Sequence, residues 1–314
     1  MNSYTFNFKT KILLIISILF FIELFLRLNI SNLSKDVVRF KSISETATSL
    51  SDASNYNILF LGNSITEAAI DKAFMNHNFS KITNDLSKVG YVHPNGTTAF
   101  MWYYILKHRF DNLKVMPQEV FIQFRDRHLF SKNPSDEELR MLVEISTFKQ
   151  ILEIISKEKL RFDKAMKILL FKNIYLFRYA KKIQLKVLSY LKYGESTIRK
   201  INGNLKRNYN DKNSSYDKYH HITNLLELLS KYDTKIIMST VFTGDNYEVE
   251  KSLIDSFKAN GATFFDLKNN SSFSSDDLSD GIHLNPVGRT KFSVALFNAY
   301  KEFYHAHKLS IYNK

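Results

Sequence analysis

A serine stands where an apolar run meets a helical pattern, in the stretch NILFLGNSITEAAID that spans residues 57–71. Residues Ile58–Leu61 are continuously apolar, as in a strand covered on both faces, and Gly-Asn-Ser follows directly. At a helix N-terminus, unpaired backbone N–H groups could stabilise the oxyanion formed when Ser64 attacks a carbonyl. Ser64 is therefore a candidate nucleophile, with the alternative that it is an ordinary helix N-cap.

A nucleophilic serine needs a base, and the stretch DGIHLNPVGRTKF near the C-terminus offers one. Asp280 and His283 are separated by two residues, so the carboxylate can bind Nδ1 while Nε2 faces a serine. The alternative is a solvated polar turn. Ser64 follows the first predicted strand and the Asp-x-x-His segment precedes the last predicted helix, so both loops can meet at one edge of a sheet. This joint arrangement predicts a Ser-His-Asp triad for acyl chemistry.

The elements that position these residues alternate along the chain. Strand patterns occupy Ile58–Leu61, Glu119–Phe124, Lys235–Phe242 and Thr263–Leu267, with a weaker candidate within Lys81–Val89. Helical patterns occupy Thr97–Arg109, His220–Tyr232, Asp245–Asn260 and the segment that follows the predicted N-cap Asn285. Alternating strands and helices predict an α/β fold with a doubly wound parallel sheet, whose chemistry lies at the carboxyl ends of the strands.

Composition limits the function classes. The chain has 314 residues, 44% of them hydrophobic, which suits one main domain. It has no cysteine, so a disulfide framework and thiolate zinc sites are excluded. We expect no metal site and no cofactor. The formal charge of +13 makes an anionic partner a candidate without indicating a fold.

The N-terminal segment 1–30 is predicted to be a transmembrane signal anchor. Glu23 and Arg27 interrupt its apolar run, but they are four residues apart on one helical face, where pairing lowers their cost. A cleaved signal peptide and a buried core helix are the alternatives. Residues 31–55 lack a sustained period and are interpreted as a tether. The prediction is a single-pass membrane protein with its catalytic domain, residues 56–314, outside the cytoplasm.

The sequence resembles the SGNH, or GDSL-like, hydrolase superfamily. Its LGNS segment, ending at Ser64, is similar to the first block of that family, with Asn63 in place of the common Asp; DGIHLN is similar to the last block. The resemblance implies a three-layer, flavodoxin-like fold. It further implies Ser64 as nucleophile, His283 as base, Asp280 as its partner, and the amides of Ser64 and Gly96 as oxyanion donors.

The third family block, Gly-x-Asn-Asp, is replaced by RDRH after the strand VFIQF. Arg127 occupies the position of the missing asparagine and could donate to the oxyanion or bind an acidic or sugar substrate. The alternative is that Arg125 and Arg127 pair with Asp126 and nearby carboxylates. Substrate-binding roles are predicted for Arg125, Asn95 and Trp102, with core or cleft wall as the alternative for Trp102.

In its altered third block, the sequence resembles a divergent branch of membrane-tethered SGNH-like proteins of bacterial envelopes. This branch includes proteins associated with alginate acetylation and teichoic acid alanylation. That resemblance implies acyl transfer on extracytoplasmic polymers, often beside a membrane-bound O-acyltransferase. We therefore expect a serine O-acyltransferase that acetylates an envelope polysaccharide. An esterase or deacetylase of the same fold, and a non-catalytic binding protein of an envelope assembly, are the alternatives.

The middle of the chain, about 131–218, is predicted to be a helical insertion. Between Ser156 and Asn208 there are fifteen Lys or Arg and three acidic residues, interspersed with apolar and aromatic side chains. This pattern favours packing on the core together with membrane proximity, and a substrate groove second. Nucleic acid is not expected as a partner, because it requires a cytoplasmic domain and no stacking module is visible.

Overall fold

The computed structural model describes residues 8–33, 35–52, 54–83, 86–130, 133–189 and 218–312. The chain forms two compact units. The sheet unit comprises Lys41–Pro134 and Asn213–Lys314, and the helical unit comprises Met1–Phe40 and Ser135–Lys212. The insertion predicted at about 131–218 therefore belongs to the helical unit for most of its length, and the sheet unit begins before residue 56.

The sheet unit contains five parallel strands. They are β1 (Tyr56–Leu61), β2 (Ser87–Val92), β3 (Glu119–Phe124), β4 (Lys235–Thr240) and β5 (Thr263–Phe265). Their order in the sheet is β2-β1-β3-β4-β5, and every neighbouring pair is parallel. This is the flavodoxin-like strand order, so the predicted α/β fold with a parallel sheet is confirmed.

Helices connect these strands and also build the helical unit. They are α1 (Phe8–Leu33), α2 (Lys35–Ser49), α3 (Ser64–Ala69), α4 (Lys72–Ile82), α5 (Ala99–Ile105), α6 (Asp136–Ile145), α7 (Phe148–Lys157), α8 (Phe162–Asn173), α9 (Tyr175–Ser189), α10 (His220–Ser230), α11 (Lys251–Ala259) and α12 (Pro286–Tyr312). A π-helical segment, Leu106–Phe110, continues α5.

Both faces of the sheet are covered, because alternate residues of each strand point to opposite sides. On one face, Phe60 and Phe121 stack with ring centroids 4.7 Å apart and pack with α3, α4 and α12. On the other face, Phe124 contacts Phe257 of α11, with centroids 5.8 Å apart. The sheet unit is therefore a three-layer α/β structure.

Two predicted boundaries in the sheet unit are wrong. The weak strand candidate at Lys81–Val89 corresponds to β2, which begins only at Ser87, because Lys81 and Ile82 belong to α4. The helix predicted from Asp245 begins at Lys251. Its expected first turns form a loop instead, in which the Tyr247 hydroxyl donates to the Val241 carbonyl at 2.7 Å.

The prediction of an irregular tether at residues 31–55 is also wrong. This segment contains α2, and its sheet-unit portion has Ile43 and Ala47 buried, with Leu50 buried just beyond the helix end. The three residues follow helical spacing, so they lie on one face. A Cβ at Gly90 of β2 would lie 2.6 Å from Leu50 Cδ1, which shows how closely this face approaches the edge strand.

In the described residues, the helical unit contains α1, the start of α2 (35–40) and α6–α9. A stretch of α1, Lys9–Asn29, is long and apolar enough to cross a membrane, and 6% of its most apolar window is buried. Several of the cations counted in the sequence have partners in the described part of this unit. Lys164 and Lys167 bind Asp136 at 2.7 and 2.8 Å, and Arg178 binds Glu144 at 2.8 Å. The acids lie before the counted segment 156–208, so the available positive charge is smaller than the sequence count indicated.

Candidate active site

Ser64 is the first residue of α3, but Asn63 caps the helix. The Asn63 Oδ1 accepts a hydrogen bond from the Ile65 amide at 3.0 Å, and its Nδ2 donates to the Thr97 carbonyl at 3.0 Å. Because the neighbouring asparagine satisfies the first turn, Ser64 is not needed as the cap. Its hydroxyl is directed to a different partner.

That partner is His283, which reaches Ser64 from the loop before α12. The Nε2 of His283 lies 3.1 Å from Ser64 Oγ, and its Nδ1 lies 2.8 Å from Asp280 Oδ2. Residues 219 positions apart in the chain therefore meet in the arrangement of a nucleophile, a base and an orienting carboxylate. The Asp280 contact favours the tautomer with a proton on Nδ1 and a lone pair on Nε2.

The Asp280 carboxylate is held by the backbone of its own loop. Its Oδ1 accepts hydrogen bonds from the His283 amide at 2.8 Å and the Ile282 amide at 3.1 Å. The bonds from the His283 amide and ring lower the pKa of Asp280 to about 2, with a further contribution from the Ile282 amide. The carboxylate is thus ionised throughout the pH range in which an imidazole can act as a base.

Two glycines allow this loop to form beside the loop that follows β4. Gly281 has φ +80°, a left-handed conformation that side chains rarely adopt. Gly244 donates its amide to the Gly281 carbonyl at 2.9 Å, and a Cβ at Gly244 would lie 2.6 Å from that oxygen. Asn285 accepts hydrogen bonds at Oδ1 from the amides of Val287 and Gly288, both 3.0 Å, as a cap of α12 does.

The imidazole and carboxylate of this site are partly open to solvent. The His283 side chain is 32% exposed and the Asp280 side chain is 56% exposed. Water can therefore reach the imidazole in this conformation. The site therefore differs from a closed pocket for a small ligand.

The loop after β2 places the second set of predicted residues. Asn95 and Gly96 form an exposed turn, with Gly96 at φ +68°. The next residue, Thr97, accepts the Asn63 bond, so this turn adjoins the Ser64 turn. Trp102 is fully buried, and its Nε1 donates to Thr97 Oγ1 at 3.0 Å. That burial corrects the prediction of a substrate-binding role for Trp102 and agrees with the core alternative.

The arginines after β3 differ from each other. Arg125 is 8% exposed and forms an ion pair with Asp245 at 2.8 Å, beside Asp126 at 3.5 Å. This is the ion-pair alternative, so the structure gives Arg125 a position in the sheet rim. Arg127 lies half-buried in the short 3₁₀ turn Asp126–His128. Its predicted oxyanion role stays a prediction.

Two residues that build the serine turn were not identified from the sequence as functional. A Cβ at Gly62 would lie 1.9 Å from Thr66 Oγ1, so only glycine fits between β1 and α3. The Thr66 hydroxyl donates to the Gln123 carbonyl at 3.0 Å and thereby ties α3 to β3. The threonine two residues after Ser64 is visible in the sequence as a hydroxyl near the candidate nucleophile. Its partner on β3 is 57 residues away, so the sequence does not indicate that contact.

Within the described residues, no group of three or more His, Cys, Asp or Glu is arranged to hold a metal ion.

No protein-family model matches the sequence, and no curated protein sequence matches it significantly. Solved structures similar to the chain include a proposed acylhydrolase from Bacteroides fragilis (13% identity, 83% of this chain and 94% of that one, TM-score 0.39). Others are a GDSL-like lipase from Bacteroides thetaiotaomicron (12%, 84% and 97%, 0.38) and the acetyl xylan esterase Axe2 from Geobacillus stearothermophilus (12%, 78% and 94%, 0.38). At this level of identity and TM-score, none of these similarities supports a conclusion about the activity of this chain.

Proposed function

We propose that this protein is a membrane-anchored, extracytoplasmic serine acyltransferase of the SGNH type that acetylates an envelope polysaccharide. The observation that carries the proposal is the position of His283, with Nε2 3.1 Å from Ser64 Oγ and Nδ1 2.8 Å from Asp280. These contacts are those of a base that removes the serine proton and is oriented by a carboxylate.

The reaction has two steps. Ser64 Oγ attacks the carbonyl of an acyl donor while His283 Nε2 takes the hydroxyl proton, and the amide of Ser64 donates to the oxyanion. The imidazolium then returns that proton to the leaving oxygen of the donor, which leaves an acyl ester on Ser64. A sugar hydroxyl attacks this ester in the second step, transfers its proton to Nε2, and departs as the acylated sugar when Oγ regains a proton.

The apolar stretch of α1 and the open site support a polymeric acceptor at the envelope surface. A membrane-bound O-acyltransferase would be a suitable source of acyl groups for such an enzyme. Solvent access to His283 also favours a second candidate, an esterase in which water takes the place of the sugar hydroxyl. The two candidates share the acyl-enzyme and differ only in its acceptor.

The acyl-enzyme is tested with the full chain in detergent and p-nitrophenyl acetate. We expect a burst of p-nitrophenol from the wild type and a rate reduced at least about 10³-fold in Ser64→Ala and His283→Ala. Ser252→Ala and His77→Ala are matched controls, because both residues are exposed in the sheet unit. Equal rates in all variants would leave the non-catalytic binding protein as the remaining reading.

The acceptor is tested on the acetylated enzyme. Acetyl groups that appear on an added envelope polysaccharide, measured by mass spectrometry, indicate transfer. Loss of the acetyl-enzyme as free acetate, at a rate independent of the polysaccharide, indicates the esterase and contradicts the transferase.

A further inference from the structure

The apolar helix α1 carries a carboxylate that binds the start of another helix. Glu23 Oε1 accepts the Tyr175 amide at 2.9 Å, and Oε2 accepts the Leu176 amide at 2.8 Å. These are the first two amides of α9, which have no partner within their own helix. Glu23 therefore supplies from α1 the cap that α9 needs.

Side chains also satisfy the last carbonyls of α8, just before this break. Arg27 of α1 donates to the Asn173 carbonyl at 2.6 Å. Arg178 of α9 donates to the Lys172 carbonyl at 3.0 Å and to the Phe171 carbonyl. Three carbonyls and two amides at the break thus have partners from the protein itself.

This pattern is what the interior of a membrane requires. Water normally satisfies backbone groups at a break between surface helices, whereas hydrocarbon leaves each unsatisfied group at a cost of several kcal/mol. Glu23 lies six residues before the end of the apolar stretch Lys9–Asn29, which is about 9 Å along a helix. If α1 spans the bilayer, the junction that Glu23 binds therefore lies within the hydrocarbon, about 9 Å inside the membrane boundary.

The side chains around the junction fit a position in the bilayer, with apolar groups for the hydrocarbon and cationic groups that can extend toward the headgroups. Ile174 and Phe177 are 40% and 44% exposed, although they are large and apolar. Tyr175 lies between two cations, with the guanidinium carbons of Arg27 and Arg178 at 4.9 and 4.4 Å from its ring centroid. Aromatic rings and arginines are enriched at the level of lipid headgroups.

We propose that the α8–α9 junction is inserted into a phospholipid bilayer, where Glu23 and Arg27 hold it and Ile174 and Phe177 contact lipid. The two charged residues of the apolar helix, Glu23 and Arg27, then have a structural role, because they bind the α8–α9 junction to α1. The occupant of this surface is lipid. The inference rests on the proposed membrane anchoring of α1 and is independent of the acyl chemistry.

The absence of cysteine makes a direct test possible. Three variants of the full chain each receive one cysteine, by Phe177→Cys, Phe20→Cys or Leu113→Cys. The cysteine is labelled with an environment-sensitive fluorophore, and the protein is placed in vesicles of phosphatidylcholine and phosphatidylglycerol. Phe20 and Leu113 are exposed apolar residues of α1 and of the sheet unit, at 62% and 49%. We expect lipids with a nitroxide on the acyl chain to quench the fluorophore at 177 as strongly as at 20, and not at 113.

Three results would overturn the proposal. Quenching at 177 by aqueous iodide alone, with lipid quenching at 20, would place the junction in water. Protection at 177 from both quenchers would indicate a covering protein surface, such as a second copy. Lipid quenching absent at 20 would remove the anchor on which the inference rests, while esterase activity of the same sample reports separately on Ser64.

Substitution of Glu23 tests whether its carboxylate holds the α8–α9 junction in the bilayer. Glu23→Leu removes the acceptor of two amides, so we expect lipid quenching at 177 to fall to the level at 113 while quenching at 20 is unchanged. Asn29→Leu is the matched control, since the Asn29 amide donates to the Phe25 carbonyl of its own helix at 3.0 Å. Unchanged quenching at 177 in Glu23→Leu would show that the carboxylate does not hold the junction.

Discussion

Asp280 in the sheet unit and Glu23 in the helical unit make the same set of hydrogen bonds. Each carboxylate accepts two consecutive backbone amides and one side-chain nitrogen, His283 Nδ1 for Asp280 and Arg27 Nε for Glu23. The partners of Asp280 are two and three residues away, whereas the amides bound by Glu23 are 152 and 153 residues away.

The difference in sequence separation indicates that the same hydrogen-bond pattern has two different structural roles. The Asp280 bonds are local, so they fix the shape of one loop and leave 56% of the side chain exposed beside the His283 imidazole. The Glu23 bonds are long-range and join two distant segments, with 20% of the side chain exposed. Loss of the first carboxylate should therefore affect chemistry, and loss of the second should affect assembly of the helical unit.

The largest expected effect follows from Asp280→Asn. An amide at this position can present its NH₂ to Nδ1 and favour the wrong imidazole tautomer, so we expect kcat/KM for p-nitrophenyl acetate to fall about 10²- to 10⁴-fold. Asp276→Asn is the control, since it changes an exposed acid of the same segment. Glu23→Gln should leave the rate unchanged. A similar loss of rate in Asp280→Asn and Glu23→Gln would contradict the division between chemistry and assembly.

A second prediction concerns the serine turn, whose geometry depends on close backbone packing as well as on the carboxylate. In Gly62→Ala the new methyl meets Thr66 Oγ1, so we expect the free energy of unfolding to fall by about 1–3 kcal/mol, with loss of esterase activity. Thermal or denaturant unfolding measures the first effect. The double variant with Thr66→Ala should lose less than the sum of the single losses, because the obstructing hydroxyl is gone. Strict additivity would show that the clash is not the cause.

The local part of this site could be predicted from the sequence. The parallel sheet follows from continuously apolar strands, and the approach of His283 to Ser64 follows from two loops at the same edge of that sheet. The role of Asp280 could be predicted because its partners lie within the same six-residue segment, DGIHLN. Local chain geometry determines the contacts of Asp280, whereas the contact between His283 and Ser64, 219 positions apart, follows from the shared sheet edge.

The contacts between distant segments of the chain could not be predicted from the sequence. Glu23 has a visible partner at Arg27, and nothing in the sequence indicates the amides of α9. The charge count of segment 156–208 likewise missed Asp136 and Glu144, which bind cations of α8 and α9 from outside it. The helix α2 was missed because its buried stripe of Ile43, Ala47 and Leu50 lies among polar residues. In each case the partner is determined by tertiary packing.

A third prediction uses histidine to distinguish the two units. All nine histidines lie in the sheet unit, and none is in 1–40 or 135–212. Burial lowers the pKa of His93 to about 3 and that of His108 to about 4, from an ordinary value of 6.5, with nearby lysine charge adding to both shifts. Below pH 6.5 the unfolded chain binds these protons first, so the stability of the sheet unit falls as pH falls from 6.5 toward 4.

Hydrogen exchange by mass spectrometry at pH 7 and pH 4.5, with intrinsic rates corrected for pH, measures this effect in each unit. We expect loss of protection in β1–β3 at the lower pH and a smaller loss in α6–α8. His93→Leu should make the pH dependence of the sheet unit shallower. Asp280 does not contribute in this window, because its lowered pKa means that its stabilisation is lost only as pH falls through about 2. Equal loss in both units would exclude histidine as the cause.

The smallest expected effect concerns a third carboxylate, Asp245, which binds Arg125 at 2.8 Å and is 56% exposed. An ion pair with one partner this exposed contributes about 0–1 kcal/mol, so Asp245→Asn should lower the free energy of unfolding by no more than that. KM for p-nitrophenyl acetate should be unchanged, as in the control Asp255→Asn, another exposed acid of the sheet unit. An anionic acetyl ester sharpens the test. If its KM falls severalfold only in Asp245→Asn, Arg125 binds substrate and Asp245 competes for it; if not, Arg125 belongs to the sheet rim.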